Sequence, residues 1–131
     1  MKFGVQHGIG DSRWTPAIIT PTEVKRFAQT AERVGYDAIA FTDHPAPSNR
    51  WVDSGGEGVA DLFTSLAFCA AVTERVRLMS FVLMPNYRNP FLMAHAVATL
   101  DHLSAGRVTL GLGTGYLKSE YFALGTDPAF K

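Results

Sequence analysis

Cysteine, excess charge of either sign and long apolar runs are all scarce in this chain of 131 residues. The one cysteine, Cys69, has no partner for a disulfide within the chain and lies in an apolar helical pattern, so we expect a buried, unreactive thiol. Twelve basic residues balance twelve acidic ones, which gives no electrostatic reason to expect nucleic acid or an anionic membrane as a partner. No apolar run approaches the ~18–20 residues of a membrane span, and no signal-peptide core follows Met1, so we predict a cytoplasmic protein.

The motifs of common catalytic and metal-binding classes are absent too. No GxSxG, CxxC, Walker or HExxH pattern occurs in the sequence. His7, His95 and His102 show no metal-ligand spacing with one another or with Asp43, so no metal site is predicted. We expect His95 and His102 to be surface or packing residues of a helix.

What the chain does contain is a strand followed by a helix, four times in succession. The apolar runs predict strands at Phe3 to Gln6, Ala38 to Phe41, Val76 to Met84 and Val108 to Leu112. Start signals for the first three helices are a capping box at Thr20 to Glu23, Asp61 as an N-cap, and Asn89 followed by Pro90. A fourth helix is predicted from Lys118 to Leu124, and a long loop from Thr42 to about Gly58.

Four consecutive βα units predict a parallel sheet with right-handed crossovers. A doubly wound open sheet normally carries its phosphate-binding glycines after the first strand, but Gly8-Ile9-Gly10-Asp11 lacks the third glycine and a prompt helix. The glycine-rich turn follows the fourth strand instead. We therefore predict an α/β fold in which residues 1–131 form the N-terminal half of a (β/α)8 TIM barrel.

Residues able to carry chemistry lie after the second and fourth strands, at the sheet edge where α/β enzymes place their active sites. Imidazole titrates near neutral pH, so His44 can exchange the proton that accompanies hydride movement at a carbinol or carbonyl. Asp43 could orient that imidazole or accept a hydrogen bond from a cofactor ring; from the dipeptide alone, a pair that only caps the loop is the simpler alternative. Gly113-Thr114-Gly115 allows close approach of a ligand, with the Ser119 hydroxyl one helical turn on, although a plain strand-to-helix turn would look the same.

Together these segments resemble the bacterial luciferase-like monooxygenase superfamily, in particular its oxidoreductases that depend on the deazaflavin coenzyme F420. The matching segments are Gly35-Tyr36-Asp37-Ala38-Ile39, Thr42-Asp43-His44, Thr73-Glu74-Arg75-Val76-Arg77-Leu78, Tyr87-Arg88-Asn89-Pro90, Ala98-Thr99-Leu100-Asp101, Ser104-Ala105-Gly106-Arg107 and Gly111-Leu112-Gly113-Thr114-Gly115-Tyr116. They follow the family order along nearly the whole chain, and as a set they are specific.

The resemblance implies a TIM barrel that holds a flavin-like cofactor at the C-terminal ends of its strands. It implies that His44 is the proton-transfer residue beside the ring. The residues it assigns to the cofactor are Asp43, Phe81, Val82, Met84, Thr114, Gly115 and Ser119. Within this set, the family's non-proline cis peptide bond, which backs the ring, is expected between Phe81 and Val82.

The implied activity is hydride transfer between F420 and a small organic substrate. A reduced-FMN-dependent monooxygenase on the same scaffold and a non-catalytic half-barrel that acts as an assembly or partner protein are the alternatives. Tyr116 stands where some members of the branch carry a glutamate, which argues against a sugar-phosphate substrate and leaves the substrate open. A (β/α)8 barrel has about 250 residues, so half of one leaves two unpaired edge strands. We therefore expect a homo-oligomer or a missing C-terminal half to complete it.

Overall fold

The computed structural model describes residues 1–7, 19–56 and 58–130 and contains one parallel sheet among them. Its strands are β1 (Gly4–Gln6), β2 (Ala38–Phe41), β3 (Arg77–Leu83) and β4 (Val108–Leu112), hydrogen-bonded in the order β1-β2-β3-β4. The helices are α1 (Pro21–Val34), α2 (Asn49–Asp53), α3 (Leu62–Val72), α4 (Pro90–Leu103) and α5 (Lys118–Ala123). The four predicted βα units are confirmed; the segment Gly8-Ile9-Gly10-Asp11 lies outside the described residues.

The helices begin where their capping residues predicted. Thr20 Oγ1 accepts a hydrogen bond from the Glu23 amide, and Asp61 Oδ1 accepts one from Thr64. The expectation of an unbroken loop after β2 is wrong, because residues 49–53 form α2. Ser48 caps this short helix by accepting a hydrogen bond from the Trp51 amide.

The main core lies between the sheet and helices α1, α3 and α4. Its buried side chains include Val24, Ala28, Ile39, Phe41, Leu62, Leu66, Cys69, Leu78, Leu83 and Leu100. Cys69 is fully buried, and this burial raises the pKa of its thiol to about 12, so the expected buried thiol is confirmed. His95 and His102 are exposed on α4, as predicted. No helix in the described part of the chain is long and apolar enough to cross a membrane.

Strands β3 and β4 meet at an irregularity that brings their backbones close together. The ladder shifts register between Ser80 and Leu83, and the peptide bond between Phe81 and Val82 is cis, as the resemblance implied. Ser80 Oγ accepts a hydrogen bond from the Gly111 amide and donates one to the Gly111 carbonyl oxygen, both at 3.0 Å. A Cβ atom on Gly111 would lie 2.6 Å from the Ser80 carbonyl oxygen, so this site requires glycine.

We predict that Gly111→Ala lowers the free energy of unfolding by about 2 kcal/mol, because the added methyl group displaces backbone rather than a flexible side chain. Gly4→Ala is the matched control, since a Cβ atom there meets its nearest neighbour at 3.6 Å. The control is expected to change stability by no more than about 0.5 kcal/mol. Denaturant unfolding of the two variants measures both values, and equal values would contradict the close contact.

Candidate active site

The carboxyl edge of the sheet gathers residues from three connections. His44 follows β2, Tyr87 lies in the turn after β3, and Glu120 lies on α5, which follows β4. In a parallel sheet these connections leave from the same edge, so residues far apart in sequence come within hydrogen-bonding distance. The structure therefore places one of the predicted site residues, His44, at the centre of a polar cluster.

Glu120 holds the imidazole of His44. The Nδ1 atom of His44 lies 3.1 Å from Oε2 of Glu120, and the carboxylate is fully buried. Asp43, expected from the sequence as one candidate for orienting the imidazole, is not the hydrogen-bond partner of His44. The sequence analysis missed Glu120, because no spacing within Lys118–Ala123 distinguishes it from an exposed helical glutamate.

The carboxylate of Glu120 has two further partners. Its Oε2 atom accepts a hydrogen bond from the Tyr87 hydroxyl at 3.2 Å, and its Oε1 atom accepts one from the Ala46 amide at 3.2 Å. Burial raises the pKa of Tyr87, and the negative charge of Glu120 raises it further. Tyr87 is therefore a neutral phenol that donates to Glu120 throughout the pH range of enzyme assays.

Asp43 belongs to a separate network beside this one. Its carboxylate accepts two hydrogen bonds from the Arg88 guanidinium, both at 2.6 Å, and one from the Met84 amide at 3.0 Å. The side chain is 2% exposed. A carboxylate offers about four lone-pair sites, so this arrangement leaves room for one more donor. The cofactor contact of Asp43 stays a prediction.

Two aromatic rings flank His44. The indole of Trp51, on α2, lies 4.7 Å from the imidazole between ring centroids, and the phenol ring of Tyr116 stands edge-on at 5.9 Å. Sequence reasoning missed Trp51 because it predicted no helix in the loop after β2. A short helix with a Ser-x-x-Trp start is the signal that could have identified it.

The other residues assigned to the cofactor lie along the same edge, with different exposures. Met84 is buried, with its sulfur 3.2 Å from where a Cβ atom of Gly113 would lie. Gly115 has a φ angle of +78°, and a Cβ atom there would lie 2.6 Å from the Tyr87 hydroxyl oxygen. Exposed in this set are the Phe81 ring and the side chains of Thr114 and Ser119; Val82 is half-buried. Met84 joins the Asp43 network through its amide, and Gly115 lies against the Tyr87 hydroxyl of the Glu120 network.

The arrangement fits a flat redox ring on two counts. The exposed Phe81 ring is an apolar surface for stacking, and Thr114 presents a hydroxyl on an exposed side chain. A cavity of about 120 Å³ also borders Asp43, His44 and Asp61. Ligand pockets usually have ~300–1,000 Å³, so this cavity suits a few waters or a small reacting group rather than the ring itself. In the described part of the chain, His, Cys, Asp and Glu form no group of three that could hold a metal ion.

We predict that Asp43→Asn costs about 3 kcal/mol or more of folding stability, because it leaves the Arg88 guanidinium without its charge partner in a largely buried site. Glu23→Gln is the control, since its ion pair with Arg26 is exposed. The control is expected to cost less than about 1 kcal/mol. Chemical denaturation of both variants compares them, and a loss at Asp43 as small as that at Glu23 would contradict the prediction.

Comparison with known proteins shows that this chain is similar to two kinds of redox enzyme. An F420-dependent glucose-6-phosphate dehydrogenase from Gordonia bronchialis is 38% identical over 117 residues, which are 85% of this chain and 32% of that protein. The solved structure of monooxygenase RslO1 from Streptomyces bottropensis matches 97% of this chain and 37% of its own, with 29% identity and a TM-score of 0.76.

A third match supports the fold alone. The oxygenating constituent of 3,6-diketocamphane monooxygenase from Pseudomonas putida, solved in complex with FMN, has a TM-score of 0.77 at 20% identity and covers 95% of this chain and 32% of its own. The chain thus spans about a third of the length of the proteins it matches. The four βα units are a partial (β/α) barrel, and the luciferase-like monooxygenase family model matches residues 1–130. The chain belongs to the luciferase-like monooxygenase family.

Proposed function

We propose that this chain forms part of an oxidoreductase that moves a hydride between the deazaflavin coenzyme F420 and a small organic substrate. The observation that carries the proposal is a histidine held by a buried carboxylate at the carboxyl edge of a partial (β/α) barrel. F420-dependent glucose-6-phosphate dehydrogenases are 37–41% identical to this chain, and this similarity favours the deazaflavin over FMN as its cofactor. Reduced-FMN-dependent monooxygenation is the second candidate, favoured by the match to a monooxygenase at 29% identity.

A deazaflavin bound here would supply the redox chemistry, since such a ring can accept a hydride from a carbinol carbon or donate one to a carbonyl carbon. In our proposal, Phe81, Val82 and Met84 would hold the face of the ring, and Asp43, Thr114, Gly115 and Ser119 would contact the polar groups of the cofactor. His44 accepts the substrate hydroxyl proton in the oxidising direction and returns it in the reducing direction.

The substrate of this site differs, in our proposal, from a sugar phosphate. Tyr116 lies edge-on to His44, at the position where the resemblance implies a glutamate in some F420-dependent members of the family. A phenol titrates near pH 10, so it does not act as a second acid–base group at neutral pH. With Trp51 on the other flank, Tyr116 gives the histidine an aromatic surrounding, which suits a neutral alcohol or carbonyl compound with an apolar body.

We predict that His44→Ala lowers kcat at least ~10²-fold in the full-length protein, because the step loses its general acid–base. His95→Ala is the matched control, since His95 is exposed on α4 and has no part in the proposed site. The kcat of this variant is expected to equal that of the wild type. Substrate-dependent reduction of F420, or oxidation of its reduced form, is followed by absorbance. A wild-type rate in His44→Ala would remove His44 from the mechanism.

The same preparations distinguish the two cofactors. Co-purified deazaflavin absorbs in the violet, whereas FMN shows a pair of bands that extends into the blue. A protein that carries FMN and consumes oxygen during turnover would replace the deazaflavin proposal with the monooxygenase.

We further propose that other barrel strands complete the sheet at β1 and β4. β1 and β4 are the two outer strands of the sheet, and at β4 the support is exposed apolar surface: Leu112 is 60% exposed and Leu110 is 42% exposed. Exposed edge strands of this kind favour pairing with another chain or segment. The strands would come from a C-terminal half of the same protein or from a second copy. A half-barrel that serves only as an assembly partner would need the same surface.

We predict that the 131-residue chain, when expressed alone, is not a monomer. Light scattering coupled to size-exclusion chromatography measures its mass in solution. A dimer or larger assembly is expected, because association removes the exposed apolar side chains of β4 from water. Leu112→Lys, which places a charge on the exposed edge, is expected to shift the assembly toward monomer. A stable, soluble wild-type monomer would contradict the proposal.

A further inference from the structure

We propose that Glu120 is the positioning residue of His44: its buried carboxylate keeps a proton on Nδ1 and leaves Nε2 as the nitrogen that exchanges a proton with the substrate. The inference deepens the proposed function, on which it rests for the identity of the reaction. The hydrogen-bond arrangement itself is independent of any cofactor and can be measured without one.

Each of the three partners of Glu120 can donate a hydrogen bond to its carboxylate. The Ala46 amide donates to Oε1, and the Tyr87 hydroxyl donates to Oε2. An ionised carboxylate has no proton of its own and only accepts. The contact between Oε2 and Nδ1 of His44, at 3.1 Å, is therefore satisfied when Nδ1 carries the proton. In neutral imidazole the proton-free nitrogen is then Nε2.

Burial also prevents bulk water from replacing His44 as the third donor to Glu120. The carboxylate is fully buried, and His44 is 8% exposed, so neither group has bulk water as an alternative partner. A buried carboxylate that loses one of its three donors is left partly unsatisfied, which is unfavourable. The imidazole ring is held in one orientation for this reason, and Trp51 packs at one side of it.

The proton that moves passes to the same histidine. Oxidation of the substrate carbinol breaks its O–H and C–H bonds and forms the C=O bond; the bound redox cofactor of the proposed function would take the hydride. The hydroxyl proton passes to Nε2, and His44 becomes an imidazolium that later releases a proton to water. Glu120 stabilises that imidazolium because a negative charge 3.1 Å from Nδ1 in a buried site is only weakly screened. The carboxylate itself keeps no proton at the end of the step.

Glu120→Gln tests the proposal because it changes one atom and reverses the hydrogen-bond polarity. The Ala46 amide can only donate, so it requires the carbonyl oxygen of the new side chain. The amide nitrogen then faces His44 and Tyr87 and donates to both. His44 can accept at Nδ1 only by moving its own proton to Nε2, which leaves no free lone pair there for the substrate proton.

The expected result is a change of tautomer together with a loss of turnover. In protein labelled with ¹⁵N-histidine, the resonances of His44 are assigned by their disappearance in His44→Ala. They are expected to show a proton on Nδ1 in the wild type and on Nε2 in Glu120→Gln. Turnover of the full-length Glu120→Gln variant falls ~10²-fold or more, with KM little changed, as expected for a wrong tautomer in place of a lost binding group. Glu74→Gln, an exposed site before β3, is the matched control and leaves both readouts as in the wild type.

A double variant separates positioning from a general effect on structure. If Glu120 acts through His44, adding Glu120→Gln to His44→Ala lowers turnover no further. A further tenfold loss in the double variant would overturn the proposal, and so would Nε2–H in the wild type or an unchanged tautomer in Glu120→Gln. The wild-type spectrum decides the tautomer even if the variant does not fold. A wild type with the expected tautomer but no redox activity would refute the proposed function and leave the histidine–glutamate pair standing.

Discussion

The buried carboxylate of Glu120 is the constraint on which the rest of the site depends. It joins the connections after β2, β3 and β4 by accepting from Ala46, Tyr87 and, through our assignment of the proton, His44. A buried charge tolerates few arrangements, because losing any donor leaves the carboxylate partly unsatisfied. The three connections are therefore fixed relative to one another more strictly than apolar packing alone would fix them. This precision is what a proton-transfer group needs.

The adjacent residues Asp43 and His44 show how the strand end separates two tasks. Asp43 turns to the Arg88 guanidinium and the Met84 amide, and so fixes the connection after β3 to the end of β2. His44 turns to Glu120 and to the aromatic rings of Trp51 and Tyr116. The structural charge pair and the histidine thus have separate partners, so the histidine is oriented without sharing its carboxylate with an arginine.

The fold was predictable from the sequence, and the site only in part. Apolar runs that alternate with capped helical patterns, such as those starting at Thr20 and Asn89, were sufficient for four parallel βα units, and the lack of a phosphate-binding glycine pattern after the first strand favoured the barrel over a doubly wound sheet. His44 and Asp43 were found because they directly follow a strand. Glu120 and Trp51 were missed for physical reasons. Glu120 contacts a residue 76 positions away in the sequence, and Trp51 lies on a short helix that the sequence did not predict. Sequence spacing reports local periodicity, and neither contact is periodic.

Gly115 carries a consequence beyond its own turn. The Tyr87 hydroxyl fills the space that any side chain at Gly115 would need, and the same hydroxyl donates to Glu120. A methyl group at Gly115 would push the phenol away from the carboxylate and loosen the hold on the imidazole, 71 positions earlier in the chain. A substitution in this turn would therefore reach His44 through the tyrosine and the glutamate, without touching the imidazole itself.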